Sequence, residues 1–333
     1  MNITSLVELV DGELKNPPSI SFVYNIQTNL KKLKNGDLFI SDNQEDINKA
    51  VEKGAFGIIY KNDFIQISDK EIAWIKVNDI NEATIKIIRY LLSNKELDVF
   101  YINEITYDIF NLMVLDSYYI YLQYDLNYLL DKLQSSSEFK LILSSNKELL
   151  AKIYPQYKTF INKKYQISNL TIHSIFETTF SYKDILYYRA KIPFFYINIF
   201  LSVVEYFKID NPISEIQGLK KWNLLSPIFI NKNFKQIEFG KSDKFILTSP
   251  AISKAIYTLT HIQKNFKYAK VQVLIHKEYS NVLKNAIFYQ DGEELEFFIK
   301  TLNYNLLYIV GCDNNDIISI LNKTLQSTTL FDI

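Results

Sequence analysis

From residue 244 to residue 333 the chain repeats one unit four times: a short apolar run, then a stretch with helical periodicity. The runs are 245–248 (FILT), 271–275 (VQVLI), 286–289 (AIFY) and 306–310 (LLYIV). Amphipathic stretches at 251–262, 278–284, 293–302 and 316–325 follow them. Strands separated by helices of this length pair in parallel, through right-handed crossovers that cover the sheet with helices. This segment is therefore a Rossmann-like parallel sheet, with Ser249 and Pro250 expected at the start of its first helix.

The same alternation runs through the rest of the chain in weaker form. Strands are expected at 37–40, 55–60, 72–77, 98–103, 117–124 and 139–143, and helices at 105–115, 126–133 and 146–154. Ser41 with Gln44, and Asp79 with Glu82, have capping-box spacing. Gly54 stands where a helix ends. Residues 165–191 alternate β-branched and aromatic side chains as antiparallel strands do, and 194–207 reads as a buried helix followed by a short one at 213–219. The fold class is α/β in three segments, 1–95, 96–243 and 244–333.

Composition narrows function. The 37 basic and 37 acidic side chains cancel, which argues against nucleic-acid or anionic-membrane binding. One cysteine, Cys312, excludes a disulfide framework, and the scattered His173, His261 and His276 argue against a metal site. The N-terminus has no basic segment followed by an apolar core, and the most apolar stretch, 192–207, is too short and polar to span a bilayer. A cytoplasmic protein is expected. No glycine occurs from residue 58 to residue 217. A phosphate-cradling loop needs glycine for close backbone approach, so none is available there. The triplet Gly240-Lys241-Ser242 precedes its strand instead of following it, and reads as a turn.

Two stretches carry a family resemblance. Leu33-Lys34-Asn35-Gly36-Asp37-Leu38-Phe39-Ile40 is similar to a V-x-P-G-D-L-F stretch, and residues 47–55 end in the A-x-x-x-G-A manner. With the strand, turn and strand order from 180 to 219, and Ser249-Pro250 opening the last segment, the chain resembles the Mur ligases, specifically the type that adds D-alanyl-D-alanine to the UDP-muramoyl tripeptide. That resemblance implies a UDP-binding N-terminal domain, a central P-loop ATPase and a Rossmann-like C-terminal domain. It places the phosphate loop G-x-N-G-K-T/S at Ile102-Asn103-Glu104-Ile105-Thr106-Tyr107-Asp108. Glycine and lysine are absent there, Thr106 alone matches the magnesium-binding hydroxyl, and Glu104 and Asp108 put negative charge where phosphate belongs. The helix-opening G-x-H-N-x-x-N aligns with residues 192–198 and keeps only Asn198, with the aromatic Phe194 and Phe195 in place of its polar groups, so the cleft is expected to be filled by packing. The UDP-contacting D-S-R aligns with Asn29-Leu30-Lys31, leaving Thr28, Asn29 and Lys31 as UDP-sugar contacts.

The resemblance thus implies a divergent paralogue without the ATP-binding loop. Such a protein acts by binding a UDP-muramoyl peptide or a cell-wall synthesis protein, with no cofactor. An active ligase with an atypical site and a protein-interaction scaffold are the alternatives. Outside the resemblance, His276 and Cys312 lie at strand ends where α/β sheets place ligands. They form the sole plausible base and nucleophile pair, against the plainer reading of a loop histidine and a small buried thiol.

Overall fold

Alternating residues of the first strands point into two different cores, which is why those strands are apolar throughout rather than every second residue. In this computed structural model the described residues are 1–113, 119–123, 125–135, 139–208, 224–279, 281, 283 and 285–328. They divide into two compact units, Met1–Asn103 with Val114–Phe160, and Glu104–Met113 with Ile161–Ile333.

The first unit holds β1 (Glu13–Leu14), β2 (Ile26–Gln27), β3 (Leu38–Ile40), β4 (Gly57–Tyr60) and β5 (Ala73–Lys76). Their order is β1-β5-β4-β3-β2, parallel except for β1. Leu38, Ile40, Ile59, Ala73 and Ile75 pack against helices Ile3–Val10 and Ile80–Ser93. Phe39, Ile58, Tyr60 and Trp74 face Ile47 and Ala50 of the helix Gln44–Glu52. A second, all-parallel sheet follows: β6 (Asp98–Tyr101), β7 (Tyr119–Tyr121), β8 (Leu141–Ser144) and β9 (Lys158–Thr159), in the order β7-β8-β6-β9. Val99, Ile120 and Ile142 of this sheet share a core with Ile87 and Ile88.

The second unit contains an antiparallel sheet, β10 (Ser168–Ile172), β11 (Thr178–Tyr182) and β12 (Ile185–Ala190). The stacked rings of Phe180 and Tyr187 meet Phe200 of the helix Ile197–Phe207. The C-terminal sheet comprises β13 (Ile228–Ile230), β14 (Gln236–Ile237), β15 (Phe245–Ser249), β16 (Val271–His276), β17 (Ile287–Tyr289) and β18 (Leu306–Val310). Its order is β14-β13-β15-β18-β16-β17, and the last four pair in parallel as the repeat predicts. The fold class is mixed α/β with several parallel sheets.

Local chemistry corrects several expectations. The cap of the helix Gln44–Glu52 is Asn43, whose side chain accepts from the Glu45 and Asp46 amides, while Ser41 accepts from Asn43 one step earlier. Asp79 does cap its helix, accepting from the Glu82 amide. Ser249 is the buried last residue of β15, and the helix Ile252–Asn265 starts after Ala251. The expected helix at 278–284 is described only as the 3-10 turn Lys277–Tyr279. The buried helix at 194–207 opens as a 3-10 turn, Phe194–Tyr196, before becoming α-helical. The helix expected at 213–219 lies outside the described residues.

Candidate functional site

The helix Glu104–Met113 buries Ile105, Thr106, Ile109, Phe110 and Met113, the face its periodicity dictates. Its polar residues find partners in the first turn of the helix Ile252–Asn265. Ser253 donates its hydroxyl to the Glu104 carboxylate at 2.6 Å, and the Lys254 ammonium pairs with Asp108. That pair is half sheltered, with side-chain exposures of 19% for Lys254 and 34% for Asp108. The Asn162 amide donates to the Thr106 hydroxyl at 3.3 Å. A helix N-terminus attracts anions through its unpaired amides and dipole. Here the chain supplies those anions itself, and a phosphate arriving there meets two carboxylates.

The neighbouring position at 192–198 is filled by packing. Tyr196 is fully buried, with its hydroxyl 2.6 Å from the Thr258 hydroxyl. Burial drives its phenol far above the usual tyrosine range. Burial likewise pushes the Tyr308 phenol up to about 12. Tyr257 donates to the Phe195 carbonyl at 2.9 Å, and the Phe195 ring stacks on His261 with centroids 5.2 Å apart. Asn198 accepts from the Tyr165 amide at 2.9 Å, so it fastens backbone.

Burial, and after it the Lys264 charge, hold the His261 imidazole below its ordinary 6.5. The folded pKa is depressed, so the unfolded chain takes up this proton first as the pH falls. The associated stability is complete above about pH 6.5 and is lost below it, as the pH falls through the folded pKa. Replacing His261 by phenylalanine is expected to flatten stability between about pH 7 and pH 5, measured by urea unfolding at each pH.

Thr28, Asn29 and Lys31 share one turn after β2. The Asn29 side chain accepts from the Lys31 amide at 2.9 Å, an Asx turn that commits it to the loop. Thr28 is half-buried, and the exposed Lys31 ammonium has no ion-pair partner among the described residues. Lys53 donates to the Leu30 carbonyl at 2.9 Å, and Lys32 pairs with Asp131 at 2.6 Å. The sequence reading missed the residue that organises this region, Asp37. It is 1% exposed and accepts from the Asn25 amide (3.2 Å), the Asn25 side chain (3.0 Å) and the Lys34 amide (3.0 Å). Beside it, Gly36 has φ +89°, and a Cβ there would lie 2.2 Å from the Tyr24 ring. The Gly-Asp text that carries the resemblance is thus required by the fold.

The strand-end pair does not form a nucleophile and base. The His276 Nε2–H donates to the Gln290 carbonyl at 3.0 Å, while Nδ1 faces Glu278. Cys312 is buried, and burial first, then the Asp316 charge, push its thiol up to about 12. A thiol held protonated is unreactive. Iodoacetamide at about pH 8 is expected to leave Cys312 unmodified in the native protein and to alkylate it in guanidinium, as read by mass spectrometry. His173 lies beyond β10, is exposed and shares a hydrogen bond with the Thr179 hydroxyl at 2.8 Å. Gly240-Lys241-Ser242 is a turn before β15, with the Lys241 amide donating to the Glu238 carbonyl at 3.2 Å. Among the described residues no group of three His, Cys, Asp or Glu side chains is placed to hold a metal. No helix among them is long and apolar enough to cross a membrane.

No protein-family model matches the sequence, and neither does any curated protein. Solved structures do match. One is the MurF ligase from Thermotoga maritima in complex with ADP, at 12% identity and a TM-score of 0.53 over 92% of this chain and 99% of that one. Another is MurF from Acinetobacter baumannii, at 11% identity and a TM-score of 0.52 over 98% of each chain. At this identity the likeness concerns architecture alone, and this chain has the fold of the Mur ligases.

Proposed function

We propose that this chain is a Mur-ligase-fold protein that works by binding, without hydrolysing ATP, in peptidoglycan precursor synthesis or its regulation. In this reading residues 1–95 are the UDP-sugar-binding segment, 96–243 the degenerate ATPase-like segment and 244–333 the Rossmann-like segment. The observation that carries it is the start of the helix Glu104–Met113. Two carboxylates, engaged by Ser253 and Lys254, stand where a nucleotide-binding member of this fold needs glycine and lysine. The buried aromatic cluster around Tyr196 supports the same reading. Thr28 and Lys31 are the side chains free to meet a UDP-sugar, while Asn29 contributes through the turn it holds.

Thermal unfolding with UDP-muramoyl tripeptide tests the ligand. A site filled to 100 times its dissociation constant stabilises by about 2.7 kcal/mol, roughly 2–4 °C for each kcal/mol in units of this size. A shift that a Lys31→Ala variant reduces makes this a precursor-binding protein. No shift turns the proposal toward a protein partner in cell-wall synthesis and away from the UDP-sugar.

A further inference from the structure

The first sheet ends at β2, which pairs with β3 on one side and, among the described residues, with no strand on the other. An open edge leaves backbone N–H and C=O groups without partners. Here a side chain stands in for the missing strand. Gln134, the last residue of the helix Leu126–Gln134, accepts from the Ile26 N–H and donates to the Ile26 C=O, each at 2.7 Å. A carboxamide carries donor and acceptor side by side, as a peptide group does. One turn earlier on the same helix, Asp131 pairs with Lys32 at 2.6 Å.

Ile26 precedes Thr28 by two residues, and Lys32 directly follows Lys31. The two contacts therefore bracket the turn that carries Thr28, Asn29 and Lys31. Between them the chain is fixed from beneath. Leu30 and Leu33 pack into the core formed by Phe39, Ile47 and Ala50, and Lys53 holds the Leu30 carbonyl. With these apolar positions turned inward, Asn29 and Lys31 are left exposed and Thr28 half-buried. The clamp also has an unsatisfied side. Gln27 Oε1 and Asp131 Oδ1 are buried and accept a hydrogen bond from no described residue. An acceptor buried without a donor is destabilising, so the turn is held in this shape against the preference of its own polar groups. Departures of that kind collect at functional sites.

We infer that Gln134 and Asp131 are positioning residues, holding the turn 28–32 in the shape that meets a UDP-sugar. The candidate ligand site is then built from two parts of the chain, the turn and a helix whose contact residues lie 99 and 108 positions further on. For its ligand this rests on the UDP-sugar reading, and part of the site lies outside residues 1–95.

The Lys31 amide donates to the Asn29 side chain and the Lys32 amide to the Asn29 carbonyl. Neither amide touches Gln134 or Asp131, so their hydrogen exchange, followed by magnetic resonance in the full chain, reports the shape of the turn. Gln134→Ala is expected to speed both amides roughly fivefold, the factor that one lost hydrogen bond represents. Asp131→Asn keeps the volume and removes the ion pair. It acts in the same direction by a smaller factor, and stays readable should Gln134→Ala fold poorly. Asn127→Ala, on the exposed side of the same helix, leaves both rates unchanged. Calorimetric titration with UDP-muramoyl tripeptide shows affinity falling in the same order, as the competent turn becomes less populated. A clamp that served stability alone would lower the unfolding midpoint without moving the two amides or the affinity of the folded protein. Unchanged exchange in both variants would overturn the inference, and so would faster exchange with unaltered affinity. If the unaltered chain binds no UDP-muramoyl tripeptide, the UDP-sugar reading falls and takes the ligand with it, while exchange still decides whether the helix sets the turn.

Discussion

Tyr196→Ala lowers stability by about 3–5 kcal/mol, the range for removing a large buried aromatic and leaving a partly relaxed cavity. The residue is fully buried and joins the turn Phe194–Tyr196 to the helix Ile252–Asn265. Tyr196→Phe separates packing from hydrogen bonding. It keeps the ring and removes only the bond to the Thr258 hydroxyl, so it costs only about 1 kcal/mol. Denaturant unfolding of both variants checks this. Equal losses would mean that the hydroxyl network, not the volume, holds the cluster together.

Asp37→Ala is expected to cost about 2–4 kcal/mol, because it strands buried donors rather than removing a favourable contact between solvated groups. One carboxylate 1% exposed serves two donors of Asn25 and the Lys34 amide. Asn29→Ala, in the exposed turn nearby, costs well under half as much. Asp37→Asn keeps an acceptor but turns an N–H toward one of the amides, and falls between the two. A loss as small as that of Asn29→Ala would mean that water replaces the carboxylate.

The parallel C-terminal sheet was legible because each of its strands is apolar and each is followed by a separately patterned helix. The antiparallel strands at 165–191 were legible from their alternation. Helix starts were read less well. Ser41 and Ser249 are good capping residues by type, yet Asn43 sits closer to the orphan amides, and Ser249 stays in its strand. The candidate site was legible as a departure from a pattern, in the missing glycines and the acids at 104 and 108. What fills it was not legible. Glu104 and Ser253 are 149 residues apart and Asp108 and Lys254 are 146 apart, and no local periodicity encodes contacts at such separations. Asp37 was hidden differently. A carboxylate in a turn reads as solvated, and only the burial of Gly36 and Leu38 around it makes it an anchor.

The central claim is that the start of the helix Glu104–Met113 takes no nucleotide. Calorimetric titration of the full chain with magnesium-ATP, accompanied by thermal unfolding, measures it directly. The account predicts no heat of binding and no change in the midpoint at millimolar nucleotide. Saturable binding with a rise of several degrees, abolished when Thr106 is changed to alanine, would contradict the account and return the protein to the ATP-dependent ligases.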